Sequence, residues 1–467
     1  MPEAAENTAK ANLNGRNVLF IAYFYPPTES TGVPGSMRTV KFIRHLSGGD
    51  CHVLTTPPSV SADKDALAHL SQPMNAETIH RSKSVDVFKL LLRLRGNVKK
   101  LLRKNSGPAS HGATTTFKSS SDATAPQAQS FSQRLKDFVY NLCYFPDQAG
   151  PWIFPASRKG TEIVKANNIN AVFATGSPWS GLIVGYRISK ATGVPLIVDF
   201  RDPWMNNPFH QSKGKFLDAW SKRLERKVVE HASAVSLNTQ PLLEEFQERY
   251  PEQPTSKFFV MPNGFDESDF ANVPQESARK SHNDITLCHA GFLYGVRDPA
   301  ALLNVIREVN KQLKTTGSKK KLIFRQVGDI QLDYNIKDRY EDLIAEGSLQ
   351  LDPPQPYLEC LKALKSADIV VNIQPATRSQ IPSKLYDYLA INQPILSITP
   401  ANGALGKLIT QKGLGEQADF DEVEKIKTIL NHLIRSSGKP FAGYPDRQEF
   451  NVAFIAEELA ACVKHLS

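Results

Sequence analysis

The stretch Ala367–Thr399, ADIVVNIQPATRSQIPSKLYDYLAINQPILSIT, contains the pattern that is most informative about the fold. It begins with a short apolar run, ADIVVNI, and continues through a polar loop into a helical pattern over Ile381–Ala390. A second apolar run, PILSIT, follows. Two buried strands joined through a helix are typical of a parallel β-sheet, because parallel neighbours require a crossover connection.

The same strand–loop–helix order recurs along most of the chain. A first series starts with NVLFIA at 17–22, and a second starts with ITLCHAG at 285–291. Helical patterns between the runs predict, among others, helices over Met37–Leu46, around Lys337–Glu346 and over Tyr357–Ser366. A chain of 467 residues is also too long for one ordinary core. We therefore predict an α/β protein with two Rossmann-like, doubly wound domains facing a cleft. The boundary is expected between Asn238 and Asp284, with a first domain over 1–250 and a second over 251–448.

Composition excludes several classes of protein. The hydrophobic fraction of 41% is that of a soluble globular protein, and no apolar run is long enough to span a bilayer. The first residues, MPEAAENTAKANLNGR, lack the apolar core of a secretory signal. Five scattered cysteines without a CxxC pair favour reduced thiols in a cytoplasm. We expect a cytoplasmic protein.

The net charge of +9 is concentrated in one segment. Residues 81–104 carry nine Lys/Arg and one acid, Asp86, so the remainder of the chain is close to neutral. This distribution does not predict nucleic-acid binding by the surface as a whole. The segment has a helical apolar stripe, and it precedes a Ser/Thr-rich, flexible stretch within an insertion over 81–135. It predicts either a basic helix on an anionic membrane surface or a solvated helix packed on the first domain.

Loops after strands are the expected ligand sites, because open parallel sheets bind ligands beyond the carboxyl ends of their strands. The first strand is followed by Gly32 and Gly35, whose backbone could approach a phosphate or sugar, and then by Arg38 on a predicted helix. An ordinary turn is the alternative.

Another loop of the first domain, DFRDPW, contains Asp199, Arg201 and Asp202 at the end of a strand. These side chains could orient the hydroxyls of a substrate, and Asp202 is our candidate for proton transfer. The alternative is an internal Asp–Arg pair that only fixes the loop.

The second domain offers a cation and glycine cluster. Gly291 and Arg297 follow its first strand, and the arginine could neutralise a phosphate. Lys384 could bind a diphosphate at a helix N-terminus, and Asp387 could accept hydrogen bonds from ribose hydroxyls. An exposed Lys–Asp pair of little energy is the alternative.

Seven motifs in order resemble the GT-B glycosyltransferases, in particular the retaining family 4-like enzymes of bacterial polysaccharide and cell-surface glycan synthesis. They are YFYPP with GVPGSMRTVKF, YFPDQAGPW, ATGSPWS, PLIVDFRDPW, VMPNGFD, HAGFLYGVRDP and IPSKLYDYLA. The resemblance implies a nucleotide-sugar donor in the second domain and an acceptor in the first. It also implies that the final segment, 449–467, packs back onto the first domain.

The resemblance also implies roles for individual residues. Arg297 and Lys384 would bind the diphosphate and stabilise its leaving charge. Asp387 would hold the ribose, and Gly32 and Gly35 would close over the phosphates. No Asp-x-Asp metal motif is present in the cleft loops, so the implied transfer is metal-independent. A nucleoside-diphosphate sugar, with UDP or GDP, would be the co-substrate, and no other cofactor is expected.

Two positions depart from the family pattern. Ser379 and Asp387 stand where many members carry two glutamates eight residues apart. With Arg38, Asp199 and Arg201, Ser379 is a candidate contact for the donor sugar or the acceptor. The functional hypothesis is a hexosyl transfer to a polysaccharide or lipid-linked acceptor, in a protein that could be peripheral on the inner face of the membrane. A sugar-nucleotide 2-epimerase and a nucleotide-binding protein without turnover are the alternatives.

Overall fold

Two parallel sheets form the framework of the protein. The computed structural model describes residues 10–26, 34–58, 77–84, 131–207, 212–270, 273 and 283–466. The strands of the first domain are β1 Ala11–Asn12, β2 Asn17–Ile21, β3 Leu46–Ser47, β4 Cys51–Thr55, β5 Glu77–Arg81, β6 Ile169–Gly176, β7 Leu196–Phe200, β8 Ala234–Leu237 and β9 Phe258–Val260. Its helices are α1 Pro34–Arg44, α2 Phe131–Cys143, α3 Ile153–Ala166, α4 Ser180–Thr192, α5 Lys215–His231 and α6 Gln240–Arg249.

The second domain follows in the same strand–helix rhythm. Its strands are β10 Asp284–Ala290, β11 Leu293–Tyr294, β12 Lys321–Val327, β13 Ile330–Gln331, β14 Leu349–Asp352, β15 Ile369–Ile373, β16 Ile395–Ile398 and β17 Glu416–Ala418. The remaining helices are α7 Ala300–Thr315, α8 Ile336–Arg339, α9 Glu341–Ala345, α10 Tyr357–Ser366, α11 Lys384–Ile391, α12 Ala404–Lys412, α13 Val423–Ser436 and α14 Val452–Leu466.

The strand order has one reversal in each large sheet. The first sheet has seven parallel strands in the order β5-β4-β2-β6-β7-β8-β9, and the second has six in the order β14-β12-β10-β15-β16-β17. In the first sheet, β4 and β5 lie on one side of β2, and β6 begins the series on its other side. In the second sheet, β12 and β14 lie on one side of β10, and β15 begins the series on its other side. The predicted doubly wound α/β class is confirmed.

The strands are apolar on both faces because helices cover both. Strands β2, β6 and β7 are almost entirely buried, and apolar clusters lie on each face of both sheets. Burial on both faces accounts for continuous apolar runs such as VLFI, in which polar and apolar residues do not alternate.

The domain boundary differs from the sequence-based expectation at residue 250. Strand β9 pairs with β8 through Val235 and Phe258, so the first sheet extends to Val260. The apolar run Lys257–Met261 is itself predicted as a strand from the sequence, and the structure assigns it to the first sheet. The boundary therefore lies after Val260.

The C-terminal helix α14 packs on the first domain. Ile455, Leu459 and Val463 belong to the same apolar cluster as Val18 and Phe20 of β2. This is the position that the family resemblance implies, and it makes the chain cross between the domains twice.

The predicted insertion over 81–135 is corrected at both ends. Arg81 is the last residue of β5, and its guanidinium donates hydrogen bonds to the carbonyl oxygens of Thr56 (2.7 Å) and Pro26 (2.9 Å). At the other end, helix α2 begins at Phe131. The basic segment between residues 85 and 104 lies outside the described residues.

None of the helices in the described part of the chain is long and apolar enough to cross a membrane.

Candidate functional site

The second sheet reverses between β10 and β15, and this position selects two loops as the candidate site. The segment 291–299 leaves the carboxyl end of β10, and the segment 374–383 leaves the carboxyl end of β15. Because the two strands are neighbours, their loops flank one crevice. Gly291 and Arg297 lie on the first loop, and Lys384 begins the helix that follows the second.

Helix α11 is held at both ends, and this fixes the position of Lys384. Pro382 precedes the helix, and Asn392 ends it in the left-handed conformation, with φ 57°. Leu385, Tyr388 and Leu389 are buried in the core. Because these three residues face the core, Lys384 and Asp387 lie on the side of the helix that faces the crevice.

Lys384 reaches over the backbone of Gly291. A Cβ atom at Gly291 would lie 1.7 Å from Lys384 Nζ, and the residue has φ +139°, a conformation that side chains rarely adopt. Glycine is therefore favoured here by its backbone conformation, and a Cβ would also displace the end of the Lys384 side chain. The structure brings these two predicted residues into direct contact.

Arg297 adds a second cation beside Lys384. Its Cζ atom lies 5.1 Å from the centroid of the Tyr294 ring. Its Nε is buried and has no hydrogen-bond partner among the described residues. A buried guanidinium nitrogen without an acceptor is costly unless an anion completes the site.

The two neighbouring, half-buried cations are suited to an anionic ligand. Burial and the neighbouring charge of Arg297 lower the pKa of Lys384 to about 8. Burial and the charge of Lys384 lower the pKa of His289 to about 3, so this ring is neutral. His289 lies 2.7 Å from Gln326 Oε1, and Gln326 Nε2 donates to Gly291 O at 2.7 Å. This chain of contacts holds the Gly291 backbone under the lysine.

Asp387 lies one turn along α11 from Lys384. Tyr357 donates its hydroxyl to Asp387 Oδ1 at 2.9 Å. Burial raises the pKa of Asp387, while the charge of Lys41 and the tyrosine hydrogen bond oppose the rise. A carboxylate that already accepts one oriented hydrogen bond retains acceptor capacity for a ligand hydroxyl. Tyr357 was not predicted as a site residue, because it lies thirty residues earlier in the chain.

Asp199 forms an internal ion pair with Arg38. An internal Asp–Arg pair was our alternative to a substrate contact for this loop. It is fully buried, and its oxygens accept hydrogen bonds from Arg38 Nε and Nη2 at 3.0 Å, from Thr175 Oγ1 at 2.7 Å and from Ser236 Oγ at 3.0 Å. These bonds use the acceptor capacity of the carboxylate. The expectation that Asp199 contacts sugar or acceptor is therefore not supported, since no oxygen faces the cleft.

Arg38 joins the first sheet to the connection between the domains. Besides Asp199, its guanidinium donates to Met261 O at 2.6 Å, to Pro262 O at 2.7 Å and to Asn263 Oδ1 at 3.1 Å. All of its donors are thus committed within the protein. The structure gives Arg38 a positioning role instead of the predicted sugar or acceptor contact.

Two further cations of α1 extend this connection and were not predicted in this role. Lys41 lies 2.9 Å from Asp269, and Arg44 lies 2.7 Å from Asp266 and 2.9 Å from Asp269. Residues 38, 41 and 44 follow one another at helical spacing, so one face of α1 meets the acidic segment 266–269. The spacing of the cations was visible in the sequence, but their partners lie more than 200 residues away.

Arg201 and Asp202 stand at the end of β7. Arg201 Nε donates to Gly176 O at 3.2 Å, and its Nη2 donates to Ser177 O. Burial lowers the pKa of Arg201 and raises that of Asp202, whose rise is opposed by the charge of Arg201. Arg201 thus fixes the loop after β6, and Asp202 remains at the edge of the cleft.

The cleft is bridged by the loop that precedes α11. Gln380 Nε2 donates to Asp202 Oδ1 at 2.9 Å, and Thr239 Oγ1 donates to the carbonyl oxygen of Ser379 at 2.7 Å. Ser379 itself is buried. The structure therefore brings Ser379 and Asp202 to the same junction, and the two domains stand in contact there.

The predicted glycine loop is described only in part. Gly32 lies outside the described residues. Gly35 is the second residue of α1, which begins at Pro34 and not at Met37. Gly35 thus belongs to the first turn of a helix at the carboxyl edge of the first sheet, next to the reversal between β2 and β6.

Among the described residues, no group of three or more His, Cys, Asp or Glu is arranged to hold a metal ion.

A family comparison agrees with the motifs. The model of Glycosyltransferase Family 4 matches residues 119–269. None of the curated proteins shows a significant match to the chain.

Solved structures with the same two-domain architecture cover nearly the whole chain. The N-terminal domain of Candida albicans trehalose-6-phosphate phosphatase has a TM-score of 0.57 at 11% identity, covering 100% of this chain and 99% of that one. Sucrose-phosphate synthase from Thermosynechococcus elongatus has 0.52 at 11%, covering 97% and 99%. The lipopolysaccharide outer core galactosyltransferase WaaB has 0.50 at 13%, covering 96% and 99%. A UDP-GlcNAc 2-epimerase from Neisseria meningitidis has 0.50 at 9%, covering 96% and 99%.

At such identities these structures show the fold alone. The protein has two Rossmann-like domains in the GT-B arrangement. The resemblance to family 4-like glycosyltransferases is confirmed by the family match together with this fold.

Proposed function

We propose that the protein transfers a sugar from a nucleoside-diphosphate sugar to a hydroxyl group of a polysaccharide or lipid-linked acceptor. One observation carries the proposal: Lys384 and Arg297 lie together, half-buried, and neither forms an ion pair with a described residue. A diphosphate has the charge and the acceptor oxygens that both cations lack. The family match and the fold support a transferase.

The reaction that these residues would assist needs few protein groups. The bond between the sugar C1 and the diphosphate oxygen breaks, and a bond from C1 to the acceptor oxygen forms on the same face. The acceptor proton passes to the leaving diphosphate, so configuration is retained and no metal is required. Negative charge develops on the diphosphate beside Lys384 and Arg297, which would stabilise it.

Asp387 would bind the ribose of the nucleotide, and Tyr357 would keep the carboxylate in position. Asp202 would orient the acceptor hydroxyl from the first domain, since its carboxylate stands at the junction with Ser379. Gly32 and Gly35 would approach the donor phosphates. The first domain and segment 81–104 would place the protein on the inner face of the membrane.

The assignment of phosphate and ribose residues can be tested by binding. UDP, GDP and dTDP are compared with inorganic pyrophosphate by calorimetry, using wild type, Lys384→Met and Asp387→Asn. We expect Lys384→Met to weaken binding of every ligand and Asp387→Asn to weaken only the nucleotides, because pyrophosphate has no ribose. Lys337→Met changes an exposed lysine of the same domain and is the matched control. Equal affinities in all variants would exclude Lys384 and Asp387 as phosphate and ribose ligands.

An epimerase is the second candidate, since a UDP-GlcNAc 2-epimerase shares the fold. Incubation of donor sugars without acceptor distinguishes the two activities. Epimerised donor without an acceptor would favour the epimerase, and transfer only in the presence of acceptor would favour the transferase. Tight nucleotide binding with neither reaction would indicate a nucleotide-binding protein without turnover, which is the other alternative that the sequence left open.

A further inference from the structure

Three helices of the first domain form a basic outer layer. Helices α3, α4 and α5 lie side by side against one face of the first sheet. Together they contain ten Lys/Arg and four Asp/Glu. One of the four acids, Glu225, is fully buried and paired with Arg249 at 2.6 Å. The solvent-facing side of this layer, here called the helical outer face, is therefore strongly positive.

Aromatic side chains project from the same layer. Phe154 on α3 is 70% exposed, Phe216 on α5 is 66% exposed, and Trp220 on α5 is 40% exposed. Exposed apolar residues are common singly, but a group of large aromatic rings on one face marks an interaction site.

The aromatic and basic residues of α5 share one stripe. Phe216, Trp220, Arg223 and Lys227 follow at i, i+4, i+7 and i+11, which places all four on one side of a helix. The aromatic rings come first and the cations follow. This arrangement is typical of helices that lie in a membrane interface, with rings at the headgroup level and cations on lipid phosphates.

The end of α2 extends the aromatic surface. The Trp220 ring stacks on Phe145, with centroids 4.6 Å apart. Lys213 Nζ donates to Tyr144 O at 3.1 Å and to Pro146 O at 2.8 Å, so the chain after α2 is fixed beside the start of α5. Tyr140, which packs on Tyr144, is itself 47% exposed.

We propose that the helical outer face, with the adjoining end of α2, docks on an anionic membrane, with Phe216 and Trp220 entering the interface. The excess of cations selects an anionic lipid surface over an uncharged apolar partner. This contact surface is distinct from segment 81–104. It consists entirely of described residues.

The orientation of the docked protein follows from the topology. Helix α5 follows β7 and begins at the carboxyl edge of the sheet, so Phe216 and Trp220 lie toward the cleft end of the layer. Docking would therefore hold the mouth of the cleft near the bilayer. If the proposed transfer is correct, this position favours an acceptor anchored in the same membrane.

Intrinsic fluorescence makes the contact directly measurable. Of the four tryptophans, Trp152, Trp179 and Trp204 are buried, and Trp220 is the exposed one. With phosphatidylcholine vesicles containing phosphatidylglycerol, we expect co-sedimentation of the full chain, a blue shift of its emission and quenching by brominated lipid. Trp220→Phe should abolish the blue shift while binding persists.

Two pairs of substitutions separate the aromatic and basic contributions. Phe216→Ala with Trp220→Ala, and Arg223→Glu with Lys227→Glu, should each lower the vesicle partition coefficient by roughly tenfold or more. Phe441→Ala and Lys337→Glu, at exposed positions of the second domain, are the matched controls and should bind as wild type does. The melting temperature of each ligand-free variant should match that of the wild type, which shows that the variants fold.

Several results would overturn this proposal. Wild-type protein that ignores anionic vesicles at low salt would exclude the docking. Unchanged binding by both double variants would assign the membrane contact to another part of the chain, such as segment 81–104. Equal binding to neutral and anionic vesicles would exclude the selection by charge. Sugar transfer to a soluble acceptor is measured separately, so failure of docking and failure of the proposed transferase activity are distinguishable.

Discussion

Replacing Lys384 by methionine should weaken donor binding and at the same time stabilise the ligand-free protein. The lysine is desolvated and lies beside Arg297, and its pKa falls from 10.5 to about 8. Since one pKa unit corresponds to about 1.4 kcal/mol, the charged form is destabilised in the folded state by up to about 3 kcal/mol. Methionine keeps an apolar stem of similar shape and removes the charge.

The pH dependence of this effect has a definite sign. Below pH 8 the lysine is charged in both the folded and the unfolded state, and its full unfavourable contribution is present. Between pH 8 and 10.5 the folded state loses the proton first, so the penalty declines and vanishes above that range. The variant should therefore unfold at a higher temperature at pH 7, by about 2–4 °C for each kcal/mol in a domain of this size. The difference should disappear at high pH.

Donor binding should change in the opposite direction. A charge-assisted hydrogen bond contributes about 1.5–3 kcal/mol, so loss of the lysine should weaken UDP or GDP binding roughly 10- to 150-fold. Wild-type affinity should also fall as the pH rises above 8, because the lysine must be charged to bind a diphosphate. Lys384→Met should lack this dependence.

Differential scanning calorimetry and isothermal titration across pH 6 to 10 would measure both effects, with Lys337→Met as the control. The reasoning is refuted if the variant binds nucleotide as tightly as wild type. It is equally refuted if the ligand-free variant melts at a lower temperature at pH 7, since the lysine would then contribute to stability.

Two further predictions concern residues that support this site. Gly291→Ala places a Cβ 1.7 Å from Lys384 Nζ at a positive φ, so we expect nucleotide affinity to fall about as far as in Lys384→Met, together with a lower melting temperature. Retained affinity in a calorimetric titration would contradict the close approach. Arg38→Met leaves the buried Asp199 carboxylate without its cation and should reduce stability by about 3–5 kcal/mol in chemical denaturation. A loss below about 1 kcal/mol would show that Arg38 does not hold the domain connection.

Local patterns predicted most of the secondary structure because they depend on neighbouring residues. Helix α10 was predicted over Tyr357–Ser366 and is observed with those bounds, and the apolar runs around β2, β7 and β15 are strands. The helix expected around Lys337–Glu346 is instead two short helices, since the backbone at Tyr340 leaves the helical region. Burial of the Tyr340 side chain accompanies this break, and periodicity within one segment does not predict it.

The proximity of residues could be predicted where it follows from their position after a strand. Gly291, Arg297 and Lys384 follow β10 and β15, and the order of strands in a doubly wound sheet brings them together. Asp199 lies near the end of β7 and Arg38 lies on helix α1, yet they are paired with each other. Their pairing depends on the approach of α1 to β7 across 161 residues, which no local pattern contains.

The alternation of strands and helices, the two-domain organisation and the glycine and cation positions next to the crevice could all be predicted before folding, because each depends on residues close together in the chain. The pairing of charges could not be predicted in this way and is visible only in the folded protein. Lys41 and Arg44 form ion pairs with the acids at 266–269, whereas Lys384 and Arg297 lie near each other and neither forms an ion pair with a described residue. The physical reason is that the state of a charge depends on burial and on partners brought from distant segments.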